Sequence, residues 1–134
     1  MRSRLTTFIS GILVTWLAAG AFAAEPDVQR TSAGGVTVAV TPQNLAANAR
    51  SWDFKVVFDT HSGELNDDLV KIVTLRDDKG ALHAPVKWEG AGPGGHHREG
   101  TLKFNTVIPA PAAIELRIMR AGEAAPRSFR WQLK

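Results

Sequence analysis

Cysteine is absent from the chain. That excludes disulfide staples and lipid attachment through an N-terminal cysteine, and it removes thiolate from any metal site. Sustained helical periodicity is missing as well, which argues against a helical core. No H-x-x-x-H or C-x-x-C spacing occurs, and no G-x-S-x-G elbow precedes a helix, so the strong signatures of zinc sites and of serine hydrolases are lacking. Strong charge is lacking too. The whole chain carries a formal +3. Setting Arg2 and Arg4 aside leaves fourteen basic against thirteen acidic side chains, a formal +1. Nucleic-acid binding, which needs a basic footprint, is therefore not expected.

Arg2 and Arg4 open a long uncharged apolar run, from Leu5 to Gly20, that ends in Ala21-Phe22-Ala23. This is the pattern of a secretory signal peptide cut after Ala23. The alternative is an uncleaved membrane anchor, since about 20 apolar residues suffice to span a bilayer. Thr6, Thr7, Ser10, Gly11 and Thr15 dilute the run and favour cleavage. A periplasmic or secreted protein follows, touching a membrane only if the signal segment is retained. Residues 24–35 read as a flexible leader, and residues 36–134 as one domain.

Within that domain, alternation dominates. Val36, Val38 and Val40 share one phase; so do Trp52, Phe54, Val56 and Phe58. The same holds for Leu82, Ala84, Val86 and Trp88, for Leu102 and Phe104, for Ile114, Leu116 and Ile118, and for Phe129, Trp131 and Leu133. A period of two marks half-buried strands. With Leu69 to Leu75 added, about seven strands are expected. "RDDKGA" (76–81) reads as a hairpin turn, "PQNLAANAR" (42–50) as a helical turn or a loop, and Pro85 as a sign of an edge strand. The fold class is all-β, an immunoglobulin-like antiparallel β-sandwich.

Let the upper end of the sandwich be the one toward which residues 52–59 run. Simple alternation of direction then puts the loops 60–68, 89–100 and 121–126 at that end. His61, His96 and His97 share this rim with Asp59, Glu64, Asp67, Asp68, Glu89, Arg98 and Glu99. The blocks "WDFKVVFDTHSGEL", "LVKIVTLRDDKG" and "WEGAGPGGHHREGTLKF" resemble a family of small exported bacterial and archaeal β-sandwich domains. The resemblance implies a secreted sandwich and singles out the turns 59–62 and 94–98. It implies no particular chemistry.

Neutral imidazoles bind copper and zinc, so His61, His96 and His97 form a candidate metal site, with Glu89, Glu99 or Asp67 as a fourth ligand. Otherwise these histidines only donate to loop carbonyls, with Arg98 paired to Asp59 or Glu99. "DTHSGELNDD" (59–68) has oxygen ligands but misses the EF-hand template. Ser62 beside His61 lacks triad geometry, and catalysis is not expected. Lys103, Arg117, Arg130 and Lys134 form a mildly basic face if their strands are neighbours. The expected function is a non-enzymatic exported binding module. Its rim of Asp59, His61, Glu89, His96, His97 and Arg98 would meet a protein or small ligand without a cofactor. The alternatives are a copper or zinc binder on the same rim and a structural module with no ligand.

Overall fold

The computed structural model describes residues 27–134. The expected signal segment 1–23 lies outside the described residues. Among the described residues, nine strands make two antiparallel sheets. They are β1 (Gln29–Ala33), β2 (Val36–Asn44), β3 (Ser51–Thr60), β4 (Val73–Asp77), β5 (Leu82–His83), β6 (Lys87–Gly90), β7 (His97–Asn105), β8 (Ala113–Ile118) and β9 (Arg127–Gln132). A single helical turn, α1 (Leu69–Ile72), precedes β4. One sheet runs β1-β2-β3-β7-β6, the other β5-β4-β8-β9. Strands β2-β3-β7-β6 and β4-β8-β9 reproduce the A-B-E-D and C-F-G order of the immunoglobulin sandwich.

The expected inward phases of β2, β3, β7, β8 and β9 hold. Val38, Val40, Trp52, Phe54, Val56, Leu102, Phe104, Leu116, Ile118 and Phe129 have essentially no exposed surface. Phe54 sits at the centre, edge-on to Phe104 and 5.5 Å from the Trp131 ring. The 76–81 turn is a hairpin, closed by Asp77 N–H to the Ala81 carbonyl, and Gly80 takes φ +84° there.

Three expectations are corrected. Residues 24–35 are not simply a leader, because Gln29–Ala33 pair with β2 as an edge strand. Their side chains are polar on both faces, so no apolar alternation announces the strand. Residues 69–75 are not one strand. Asp68 accepts the Val70 amide as an N-cap, which turns 69–72 into α1 before β4 begins. Residues 81–88 divide into β5 and β6, which lie in different sheets. Pro85 has no amide to offer a ladder; it is buried in the crossover, while Leu82, Ala84 and Val86 are exposed. Of the two readings open for residues 42–50, the loop holds for 45–50, while 42–44 extend β2.

The sandwich is closed along both sides. One side is closed by the β5–β6 crossover. On the other, β1 meets β9 through Gln29, whose side chain bonds both backbone groups of Arg130, and through Trp131, whose indole donates to the Asp27 carbonyl at 2.9 Å. Trp131→Ala therefore removes a core ring and a tie to the first strand. We expect it to cost about 3–5 kcal/mol, whereas Lys87→Ala, on an exposed face, changes the denaturation midpoint little. Equal midpoints for the two variants would contradict this packing.

Candidate functional site

The upper end carries the turn 34–35 and the loops 61–68, 91–96 and 119–126. The expectation that His61, His96 and His97 fall at one end of the sandwich agrees with the strand directions. The loops 61–68 and 91–96 are zipped together by backbone bonds. Thr60 N–H donates to His96 at 2.9 Å, Leu65 N–H to Gly95 at 3.1 Å, and Gly94 N–H to Leu65 at 2.9 Å. Gly94 and Gly95 have φ of +111° and +75°, values that side-chain-bearing residues rarely adopt.

Arg98 is the buried member of the Gly-His-His-Arg stretch, at 3% exposure. Register explains why. The inward phase of β7, Phe104 and Leu102, continues back through Gly100 to Arg98, leaving His97 and Glu99 outside. Its guanidinium donates to the carbonyls of Ala91 at 3.0 Å, Leu65 at 3.4 Å and Asp67. It lies 5.7 Å from the centre of the Trp88 ring, a cation–π contact. Trp88 in turn crosses a pair of facing glycines. A Cβ on Gly90 would lie 2.5 Å from the Gly100 Cα, and a Cβ on Gly100 would lie 2.7 Å from the Trp88 ring. Two of the glycines in this stretch therefore make room for an indole.

The tie extends around the whole end. Asp67 receives two bonds from Arg120, at 3.1 and 3.0 Å. Arg120 also lies 3.8 Å from Glu123. Glu123 accepts from Arg127 at 2.9 and 3.0 Å. Arg127, at 6% exposure, donates to the carbonyls of Val36 at 2.9 Å and Ala33 at 3.0 Å, which flank the β1–β2 turn. Arg98, Asp67, Arg120, Glu123 and Arg127 thus run as one polar chain through all four upper connections. No buried side-chain nitrogen or oxygen among the described residues lacks a partner. That matters because a half-satisfied buried network is worse than an apolar one.

His97 lies outside this chain, on the outer face of β7. Its Nδ1 is 2.5 Å from Asp59 and its Nε2 is 3.3 Å from Glu99, which is itself 2.8 Å from Lys55. Ionised carboxylates only accept, so an imidazole between two of them donates from both nitrogens and is an imidazolium. The bond to Asp59, then that to Glu99, raises the His97 pKa above 6.5. The bond from Lys55, then that from His97, lowers that of Glu99 below 4.5. The pairing expected for Arg98 with Asp59 or Glu99 is thus made by His97 instead, because Arg98 faces the other way on the strand.

His61 and His96 are exposed on the loops, and Glu89 is exposed on β6 beside Lys87, 3.2 Å away. His83, at the lower end, bonds Asp77 at 2.9 Å. Among the described residues no group of three His, Cys, Asp or Glu side chains is placed to hold a metal ion. The expected basic face holds only in part, for Arg117 and Arg130 on the neighbouring strands β8 and β9. Lys103 lies on the first sheet, 3.2 Å from Asp53, whereas Arg117 and Arg130 lie on the second. Arg120, Glu123 and Arg127 are close in sequence, but their ties to Asp67 and to the β1–β2 turn were not legible, since those partners come from distant connections. Arg98 was within reach by extending the alternation of β7 back through the glycine.

No family model matches the chain, and no curated protein or solved structure matches it either.

The raised pKa of His97 means that its ion pairs stabilise the fold fully below pH 6.5. That contribution is lost as pH rises through the folded pKa of His97. A ring-proton NMR titration should place its midpoint above 6.5, and Asp59→Asn should move it back toward 6.5. An unshifted midpoint in the parent would contradict the imidazolium assignment.

Proposed function

We propose that the chain is an exported binding module that presents its upper rim, with His61 and His96 outermost, to a protein partner or small ligand. Kinship with small exported bacterial and archaeal sandwich domains belongs to the same proposal, as does a periplasmic or secreted location. The observation that carries it is the Arg98-to-Arg127 chain beneath the rim. Such a tie holds the loops in one arrangement before any ligand arrives, which lowers the ordering cost of binding. Loops on a rigid sandwich are also where such folds usually place function. Asp59, His97 and Glu99 form the rim's charged shoulder. Arg98 supports the rim from below and does not reach a ligand itself. The chemistry proposed for the rim is polar contact and hydrogen bonding, that of recognition.

A photo-reactive residue placed at position 61 or at position 96 tests this in cells exporting the protein. The expected result is the same cross-linked species from both positions and none from position 87 on the sheet face. In parallel, intact mass should show a chain beginning at Ala24. One zinc or copper ion bound per chain, and lost equally in His61→Ala and His96→Ala, would replace this function with metal binding. Neither adducts nor metal uptake would leave a structural module.

A further inference from the structure

We infer that the outer face of the β5-β4-β8-β9 sheet is a second docking surface, for an acidic protein segment carrying an apolar anchor. Cross-strand register assembles it. Leu82, Arg76, Glu115 and Arg130 form one row across four strands, and Thr74, Arg117 and Ser128 form the next. Residues opposite one another on antiparallel strands share a face, so three arginines surround one carboxylate. Three guanidiniums against one glutamate leave a formal +2 on this face. Glu115 is only 7% exposed, held 2.5 Å from Arg130 and bonded to Arg117. Arg76 makes no ion pair among the described residues, and Arg130 keeps 74% of its side chain exposed.

The opposite sheet provides the contrast. Its outer face matches charge against charge: Lys55 with Glu99, Lys103 with Asp53, Lys87 with Glu89, and His97 with Asp59. Arg30, in the outward row with Glu99, is the one basic residue on that face without an ion pair among the described residues, so the first sheet carries a smaller excess than the second.

Beside the arginines lies an apolar groove of about 170 Å³, lined by Ile72, Thr74, Leu82, Arg117, Met119 and Pro126. Leu82 is 65% exposed and Met119 46%. On the other flank of the arginine row, a depression of about 250 Å³ opens against Arg76, Arg130 and Gln132. Asp77 and Asp78 border it and keep their negative charge, so this depression offsets the arginines at that flank rather than adding to them, although most of their carboxylate oxygens are hydrogen-bonded. Those of Asp77 accept from Lys79 N–H and Ala81 N–H and meet His83, and Asp78 accepts from Ala112 N–H.

The charge decides the occupant. A second copy docking through the same face would set two positive surfaces against each other, which costs affinity. Arginine forks match carboxylates in a bidentate way. Here Arg76 and Arg130 flank Glu115 in one row and Arg117 stands in the next, so an extended acidic segment can cross all three, and the small groove beside Arg117 fits a side chain rather than an acyl chain.

The test uses a synthetic peptide of alternating glutamate and leucine, with polyglutamate, phosphatidylglycerol vesicles and the protein alone as the other arms. Amide NMR shifts on the full chain locate binding. The expected result is saturable binding of the Glu-Leu peptide, with shifts at Thr74, Arg76, Leu82, Arg117 and Arg130. Arg76→Glu should weaken it at least tenfold, and so should Leu82→Ser; both side chains are exposed, so the fold should survive. His61→Ala should leave it unchanged. Four outcomes overturn the inference. They are no shift at millimolar peptide, equal affinity for polyglutamate, binding of vesicles but not peptide, and self-association through this face.

Discussion

The upper end of this sandwich depends on buried guanidinium groups. Arg98 and Arg127 are charged, almost fully enclosed, and carried by strands of different sheets. Burying a charge costs several kcal/mol unless hydrogen bonds and counter-charges replace its water. Here Arg98 is met by three backbone carbonyls and an indole face, and Arg127 by Glu123 and the carbonyls around the β1–β2 turn. Asp67, Arg120 and Glu123 connect the two. Removing Arg120 would leave the Asp67 carboxylate without its partner, and removing Glu123 would leave Arg127 buried with carbonyls but no counter-charge, so losing one member weakens the ones beside it.

This arrangement substitutes for what the chain lacks. With no disulfide, long loops at the end of a small sandwich would ordinarily be its softest part. The polar chain joins all four upper connections, and the three cross-loop backbone bonds fix two of them against each other. The glycines belong to the same design. Gly90 and Gly100 let Trp88 lie flat under Arg98, and Gly94 and Gly95 allow the backbone to turn where it must meet Leu65. The histidine pair is then split by strand geometry. His97 is locked between two carboxylates on the sheet face, and His96 is left on the loop.

Much of this was legible in the sequence. Wherever one face of a strand is apolar, as with Trp52 to Phe58 or Ile114 to Ile118, burial follows the period of two. It failed where burial is not apolar. β1 is polar on both faces, so its pairing with β2 left no pattern to find. Residues 81–88 alternate convincingly, yet Pro85 breaks the ladder and the chain changes sheet there. The site was half legible. The end on which His61, His96 and His97 fall follows from strand direction alone. What each one touches does not, because a partner such as Asp59 or Asp67 is set by register and by contacts between distant loops. Arg98 is the instructive case: a charged residue in a glycine-rich stretch reads as a surface group, and only its phase relative to Leu102 and Phe104 says otherwise.

The central claim is that Arg98 holds the two loops of the rim in one arrangement. Hydrogen exchange of the Leu65 and Gly94 amides, which bond across those loops, tests it most directly when the parent is compared with Arg98→Met. Loss of protection at both amides together, by tenfold or more beyond any change at the core amide of Phe54, is the expected result. Unchanged protection at Leu65 and Gly94 would mean that the loops keep their arrangement without the buried guanidinium, and the account would fail.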